Sequence, residues 1–116
     1  MQHRHHGRIL KREKAARVAL LRALARGVIF SKSIITTEAR AKEMRPYLER
    51  LITKERKGGL ALHRKVAATL GKDAALRMKK NVVPALGGRT SGFLRITKIG
   101  RRKSDAARMV HISLVE

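Results

Sequence analysis

Residues 33–53, with the sequence SIITTEARAKEMRPYLERLIT, decide the fold because the hydrophobic period changes abruptly within them. Residues 33–37 are rich in β-branched side chains, which predicts a short strand. Thr37 is a suitable N-cap for a following helix, since its hydroxyl can accept an unpaired amide proton of the first turn. Pro46 predicts a kink or a break near Arg45. The buried stripe of this helix is predicted to contain Ala41, Met44, Leu48, Leu51 and Ile52.

A helix is predicted before this segment, from about Glu13 to Gly27. Its apolar residues recur at helical spacing, whereas its arginines fall on the opposite side. Gly27 is expected to weaken or end the helix. The apolar stripe consists of Val18, Leu21, Leu24, Ala25 and Val28, and the basic face of Arg12, Arg22 and Arg26.

Two further helices are predicted after residues 58–59, a glycine pair. The first has its apolar positions at helical spacing and stops at Gly71. The second extends from Lys72 to Val83, after which Pro84 and two glycines predict a loop. The apolar positions are Leu62, Val66 and Leu70 in the first helix, and Leu76, Met78 and Val82 in the second.

The last 26 residues alternate between apolar and polar side chains, which predicts two strands. Between them, residues 99–108 (IGRRKSDAAR) predict an extended basic hairpin tip. With residues 34–37 as a third strand, the expected fold is α+β, with about four helices packed on a small three-stranded sheet that includes a C-terminal β-hairpin. We expect a basic N-terminal arm at residues 1–12 and a single α+β domain at residues 13–116. The strand positions that alternate are Leu94 and Ile96, then Val110, Ile112 and Leu114.

The charge balance predicts a polyanionic partner. The chain has 29 Lys and Arg against 8 Asp and Glu, a net charge of +21 that would repel itself without a screening anion. Nucleic acid fits best, because each neutralised phosphate releases counterions; membrane headgroups are the weaker alternative. An aromatic content of 3% disfavours base stacking, so shaped or double-stranded RNA is the expected target. Because apolar runs are short and no signal-peptide pattern is present, we expect a cytoplasmic protein.

Catalytic patterns are absent from the sequence. His3, His5 and His6 invite a metal interpretation, but no carboxylate or cysteine lies nearby to complete a site. His63 and His111 stand alone, which is typical of packed or surface histidines. The glycine pairs lack the flanks of a phosphate-binding loop, and the acidic residues are scattered among basic ones. We therefore expect no enzyme activity, no cofactor, no metal and no small-molecule substrate.

Clusters of basic residues are the candidate RNA-binding sites. Any single cluster can be a solvated face, and the arm can be a frayed terminus, but the whole-chain charge argues against that interpretation for the full set. The arm contributes Arg4, His5, Arg8, Lys11 and Arg12. The predicted domain contributes Arg22 with Arg26; Arg40 with Lys42 and Arg45; Arg64 with Lys65; and Arg101, Arg102 and Lys103.

The order of motifs resembles one family, the seventeenth protein of the bacterial large ribosomal subunit. The resemblance rests on HRHHGR with LKR, ALLRALA, IITTEARAKEMRP, LERLIT, FLRITKIG and MVHISLVE, which together span nearly the whole chain. It implies a non-catalytic protein bound to large-subunit ribosomal RNA near the peptide exit tunnel, beside neighbouring ribosomal proteins, in the cytoplasm or in a bacterial-type organelle. By matching segments, the resemblance implies RNA contact for Arg4, Gly7, Arg8, Arg12, Arg22, Thr37, Arg40, Lys42, Arg95 and Lys98.

A DNA-binding regulator is the alternative function from another class. Its first two helices would act as a reading pair in the major groove. A strand between those helices argues against this arrangement, because a helix-turn-helix motif has only a turn of about 3–4 residues there.

Deleting residues 1–12 should leave the domain folded and weaken its association with ribosomal RNA. The reason is that this segment carries basic residues and no acid, ahead of any periodic element. Circular dichroism and a binding titration measure the two effects. Loss of the folded signal, or an unchanged affinity, would contradict the prediction.

Overall fold

The computed structural model describes residue 10 and residues 13–115, and its first elements are a helix, a strand and a helix. Helix α1 is followed by strand β1, which leads directly into helix α2. Four further helical elements and a hairpin follow. The bounds are α1 Lys14–Ser31, β1 Ser33–Thr37, α2 Glu38–Lys57, α3 Leu60–Leu70, α4 Lys72–Arg77, a π-helical turn Met78–Val82, α5 Val83–Leu86, β2 Leu94–Arg101 and β3 Arg108–Leu114.

Helix α1 continues past Gly27, so the expectation that this glycine ends the helix was wrong. A β-carbon at Gly27 would lie 3.3 Å from Cγ2 of Ile34, so the glycine allows α1 to pack closely against β1. The helix instead ends at Lys32, which has a left-handed φ of 67°. Val18 is 50% exposed and does not belong to the buried stripe that the spacing predicted. The buried face of α1 lies further along, at Ala25, Val28 and Ile29.

The junction between β1 and α2 is the predicted one. The amide of Arg40 donates a hydrogen bond to Oγ1 of Thr37 at 3.4 Å, which confirms Thr37 as the N-cap. Of the kink or break predicted near Arg45, the break does not occur, since α2 contains Pro46 and remains one helix. Met44 and Leu48, on either side of the proline, are fully buried, and this packing holds the helix together despite the missing amide donor.

The segment after Gly71 continues further than its sequence predicted. Pro84 was expected to break the helix, but it lies in the first turn of α5, and the helical path continues to Leu86. The π-helical turn makes this possible, because the amide of Val83 donates to the carbonyl of Met78, five residues earlier. Of the apolar positions that predicted this helix, Leu76 is 46% exposed, whereas Met78 and Val82 are buried.

The sheet has the strand order β1-β3-β2, and both pairings are antiparallel. Leu94, Val110 and Ile112 are buried, as the alternation predicted. Strand β2 extends to Arg101, so part of the predicted tip belongs to the strand and the connecting loop is residues 102–107. The register shifts between Lys98 and Gly100, which places a bulge at the intervening residue.

The helices pack on one face of the sheet, and the buried side chains of all layers form one hydrophobic cluster. Phe93, immediately before β2, is 1% exposed and joins the helical and sheet layers. The α+β architecture expected from the sequence is confirmed.

Met78→Ala should lower the free energy of unfolding by about 2–5 kcal/mol, because it removes a fully buried side chain and leaves a cavity. Leu76→Ala, two residues earlier, is the matched control and should change it by about 0.5 kcal/mol or less, since Leu76 is 46% exposed and lies outside the core cluster. Chemical denaturation of both variants measures the difference. Equal losses would mean that the helix is rotated relative to this description.

Candidate nucleic-acid interface

The residues expected to bind RNA fall into two groups, those outside the described part of the chain and those within it. Arg4, His5, Gly7, Arg8, Lys11 and Arg12 lie outside the described residues. The remaining candidates are distributed over α1, α2, α3 and the hairpin. Their surroundings differ, because some are bound to carboxylates of the same chain and others are not.

Arg26 connects α1 to the junction between α3 and α4. Its Nη1 and Nη2 donate to the two carboxylate oxygens of Asp73 at 2.7 Å each, and Nη1 also donates to the carbonyl of Leu70 at 2.6 Å. Its guanidinium lies 5.3 Å from the centre of the Phe30 ring, within the range of a cation–π contact. The hydrogen bond from Arg26 is the main cause that holds the pKa of Asp73 well below its usual range. The guanidinium of Arg26 is therefore largely occupied by contacts within the protein.

Gly71 makes room for this connection. Its φ is 101°, and a β-carbon there would lie 2.8 Å from Nη1 of Arg26 and 3.4 Å from Nη2 of Arg22. The predicted pair Arg22 and Arg26 is thus brought together at the end of α3. Arg22 also lies near Tyr47, whose pKa is raised by burial, with the charges of Arg22 and Arg50 acting in the opposite direction.

A second cluster joins the start of α2 to the sheet. Lys42 binds Glu38 at 2.7 Å, and Arg45 binds Glu49 at 3.0 Å. The two cations line one groove together with Lys98 of β2, with a volume of about 430 Å³. The hydrogen bond from Lys42 is the main cause that lowers the pKa of Glu38, and the charges of Lys98 and Arg108 act in the same direction.

Arg108 was not among the residues that the sequence predicted to bind RNA. It lies two residues before Val110 in a strand of alternating pattern, so it shares the helix-covered face of the sheet with that residue. This alternation was the signal that could have identified it. Arg101 of the neighbouring strand β2 lies directly opposite Arg108 of β3. Two like charges at such a position destabilise a strand pair unless an anion lies nearby.

The hairpin tip is closed by its own ion pair. Arg102 donates to both carboxylate oxygens of Asp105, at 3.0 and 2.6 Å, and this hydrogen bond is the main cause that lowers the pKa of Asp105 to about 2. Ala106 has a φ of 57°, and its amide donates to the carbonyl of Arg102 at 2.8 Å. All three predicted tip residues are exposed, but the guanidinium of Arg102 is bound to Asp105 within the loop.

Arg95 and Arg64 stand apart from these clusters. Arg95 is exposed and alternates with Leu94 and Ile96, so it lies on the uncovered face of the sheet. It therefore faces away from Lys98, the other β2 residue for which the family resemblance implied RNA contact. Arg64 and Lys65 are both exposed on α3.

The two described histidines differ in their surroundings. Nδ1 of His63 lies 2.7 Å from Oε1 of Glu55, whose side chain is 3% exposed. The other oxygen of Glu55, Oε2, is buried without a hydrogen-bond partner. His111 lies between Ile35 and Thr97 on the uncovered sheet face. Within the described part of the chain, no group of three or more His, Asp or Glu is placed to hold a metal ion; His3 and His6 lie outside it.

The structure bears on two alternatives from the sequence: a DNA-binding regulator and a protein that binds membrane headgroups. Strand β1 separates α1 from α2, and this is not the short turn of a helix-turn-helix motif. No helix among the described residues is long and apolar enough to cross a membrane.

These features define a class: a small α+β protein whose surface is dominated by arginine and lysine. Residues 20–115 match the family model described as Ribosomal protein L17. The chain belongs to the ribosomal protein L17 family, whose members are structural components and not enzymes. This membership confirms the resemblance and the expectation that the protein is not an enzyme.

The chain is similar to several proteins named large ribosomal subunit protein bL17. It is 44% identical to the protein from Gemmatimonas aurantiaca over 116 residues, which cover 99% of this chain and 98% of that protein. It is 43% identical to the protein from Campylobacter concisus, with the same coverage. The protein from Zymomonas mobilis is 44% identical over 117 residues, which cover 100% of this chain and 84% of that protein.

Asp73→Asn should lower the melting temperature at neutral pH, because it removes the charge from the bond that connects α1 to α4. The pKa of Asp73 is lowered in the folded state, so this contribution is fully present above the ordinary value of 3.8 and declines as the pH falls through the folded-state pKa. Thermal unfolding of both proteins between neutral and acidic pH measures the effect.

Asp105→Asn is the matched control for this substitution, since its ion pair joins residues only three apart in an exposed loop. We expect its melting temperature to stay close to that of the parent. A difference between parent and Asp73→Asn that does not shrink at acidic pH would refute the assignment.

Proposed function

We propose that this chain is a structural constituent of the large ribosomal subunit that binds large-subunit ribosomal RNA and supports the architecture of the subunit near the side of the exit tunnel. The protein would act in the ribosome of the cytoplasm or of a bacterial-type organelle, in contact with neighbouring large-subunit proteins. Its role is architectural: the folded domain presents basic side chains to RNA segments and brings them together.

The observation that carries this proposal is the surplus of positive charge on a member of a ribosomal family. The 29 Lys and Arg exceed the 8 Asp and Glu so strongly that ion pairs within the chain leave most cations without a carboxylate. An RNA partner would relieve the repulsion among them, because phosphates neutralise the cations while counterions are released. Family membership over residues 20–115 supports RNA of the large subunit as that partner.

The proposed RNA-binding residues are those predicted from the sequence. Within the domain, residues 13–116, the exposed Arg22, Arg95 and Lys103 are best placed for direct contact. Arg26 and Arg102 would hold the contacting surfaces in shape, since each is bound to an aspartate. The full set contains Arg4, His5, Gly7, Arg8, Lys11 and Arg12 of the arm, residues 1–12, and Arg22, Arg26, Thr37, Arg40, Lys42, Arg45, Arg64, Arg95, Lys98, Arg101, Arg102 and Lys103 of the domain.

Tagged protein should sediment with large ribosomal subunits in a sucrose gradient and remain with them at moderate salt. In a competition titration, the purified chain should prefer large-subunit ribosomal RNA over small-subunit ribosomal RNA and over duplex DNA of similar length. Equal affinity for all three would leave only unspecific charge attraction, which contradicts the proposal. Sedimentation with small subunits or with free protein would contradict it as well.

A further inference from the structure

A groove with a volume of about 510 Å³ lies between the C-terminal half of α2 and the loop before β2. None of the residues predicted from the sequence to bind RNA lines this groove. One wall is formed by α2, and the other includes Ser91 of the loop. Exposed Pro46 supplies apolar surface between the walls, and the buried Phe93 lies at the base of the groove. The groove thus combines polar rims with an apolar base.

Three cations line the wall formed by α2: Arg50, Lys54 and Lys57. Their spacing of four and three residues places them on one face of the helix, at axial separations of roughly 6 and 4.5 Å. All three are exposed, and within the described residues no carboxylate lies at ion-pair distance from them. The described residues therefore leave this row of positive charges without a neutralising carboxylate.

Glu49 is the one carboxylate along the groove, and it does not oppose these cations. Its Oε1 accepts a hydrogen bond from Nε of Arg45 at 3.0 Å, so its charge is paired with a cation that does not line the groove. The hydroxyl of Thr53 donates to the carbonyl of Glu49 and leaves its oxygen lone pairs toward a ligand donor.

The charge at the end of α2 has a second physical consequence, since cations near a helix C-terminus interact favourably with the helix dipole. That effect accounts for Lys54, Arg56 and Lys57 in the last turn. It does not account for Arg50, which lies seven residues before the end of the helix. The helix dipole also does not explain why Lys54 and Lys57 line the groove while Arg56 lies outside it.

We propose that this groove binds an unpaired segment of RNA, with the cations of α2 on successive phosphates and one base on the exposed apolar surface of Pro46. Paired RNA keeps its bases stacked within the helix, so it would leave that apolar surface in water. An unstacked nucleotide fills the groove and brings its phosphates to the cationic wall. This inference rests on the proposed function, because it names the form of RNA that one part of the surface recognises.

The test compares two variants that remove the same charge. Arg50→Gln, Lys54→Gln and Lys57→Gln are combined in the groove variant. Arg77→Gln, Lys79→Gln and Lys80→Gln, which replace one exposed arginine and two exposed lysines of the α4 region, are combined in the control variant. Circular dichroism verifies that both are folded, and each is titrated with large-subunit ribosomal RNA over a range of salt concentrations.

The groove variant should lose about 2 from the slope of log affinity against log salt, at roughly 0.7 for each phosphate contact to a single strand. The control variant should keep the slope of the parent. Equal slopes for the two variants would overturn the groove proposal and leave the proposed function intact. If the parent itself does not prefer large-subunit RNA, the proposed function fails first, and the groove assignment fails with it.

A photocrosslink tests the unpaired state of the RNA separately from the charge. p-Benzoylphenylalanine at position 91, in place of Ser91, should crosslink nucleotides whose 2′-hydroxyls are reactive to acylation in the free RNA. The same group at position 80 is the control and should crosslink a different set or none. Crosslinks from position 91 to paired nucleotides alone would overturn the assignment of an unpaired segment.

Discussion

The packing of α2 across one face of the sheet is the contact on which the other elements depend. The helix touches all three strands, and α1, α3 and α5 also pack against it. Its start is fixed by the cap at Thr37, so the direction of β1 determines where the helix runs. Fully buried Met44, Leu48 and Ile52 then form the centre of the hydrophobic cluster. The grooves described above are all bordered by α2 or by helices that rest on it.

A small number of carboxylates forms ion pairs that hold neighbouring elements together on a surface where the many cations repel one another. Asp73 connects distant helices, and Asp105 closes a loop. Glu38 and Glu49 each bind a cation four residues away on the same helix. The acidic residues are thus placed where they organise neighbouring arginines and lysines, and the remaining cations stay available to an external anion. One set of basic residues is paired with carboxylates and stabilises the structure, and a second set stays free to bind an external anion. Composition alone cannot distinguish the two sets.

Local chemistry allowed much of the fold to be predicted from the sequence. The cap at Thr37, the stop at Gly71 and the alternation in the hairpin depend on residues close in the chain. The errors arose where distant contacts decide the outcome. Gly27 serves the approach of Ile34, and Pro46 is held in a helix by buried neighbours. Neither effect is visible in the spacing of apolar residues.

The candidate site was predictable in composition but not in arrangement. Residues close in the chain, such as Arg101 and Lys103, could be grouped from the sequence. The groove that joins Lys42 and Arg45 to Lys98 depends on how α2 crosses the sheet. The role of Arg26 depends on Asp73, 47 residues away. The π-helical turn has one further consequence: it holds one residue more than an α-turn, so deleting one of the exposed residues 79–81 would convert it to an α-turn and leave Leu86 on the side of the helix that faces the core. A single deletion within the uninterrupted helix α3 would instead rotate every later residue of that helix by roughly 100°. The π-helical turn is thus the place where this helical segment tolerates the loss of a residue.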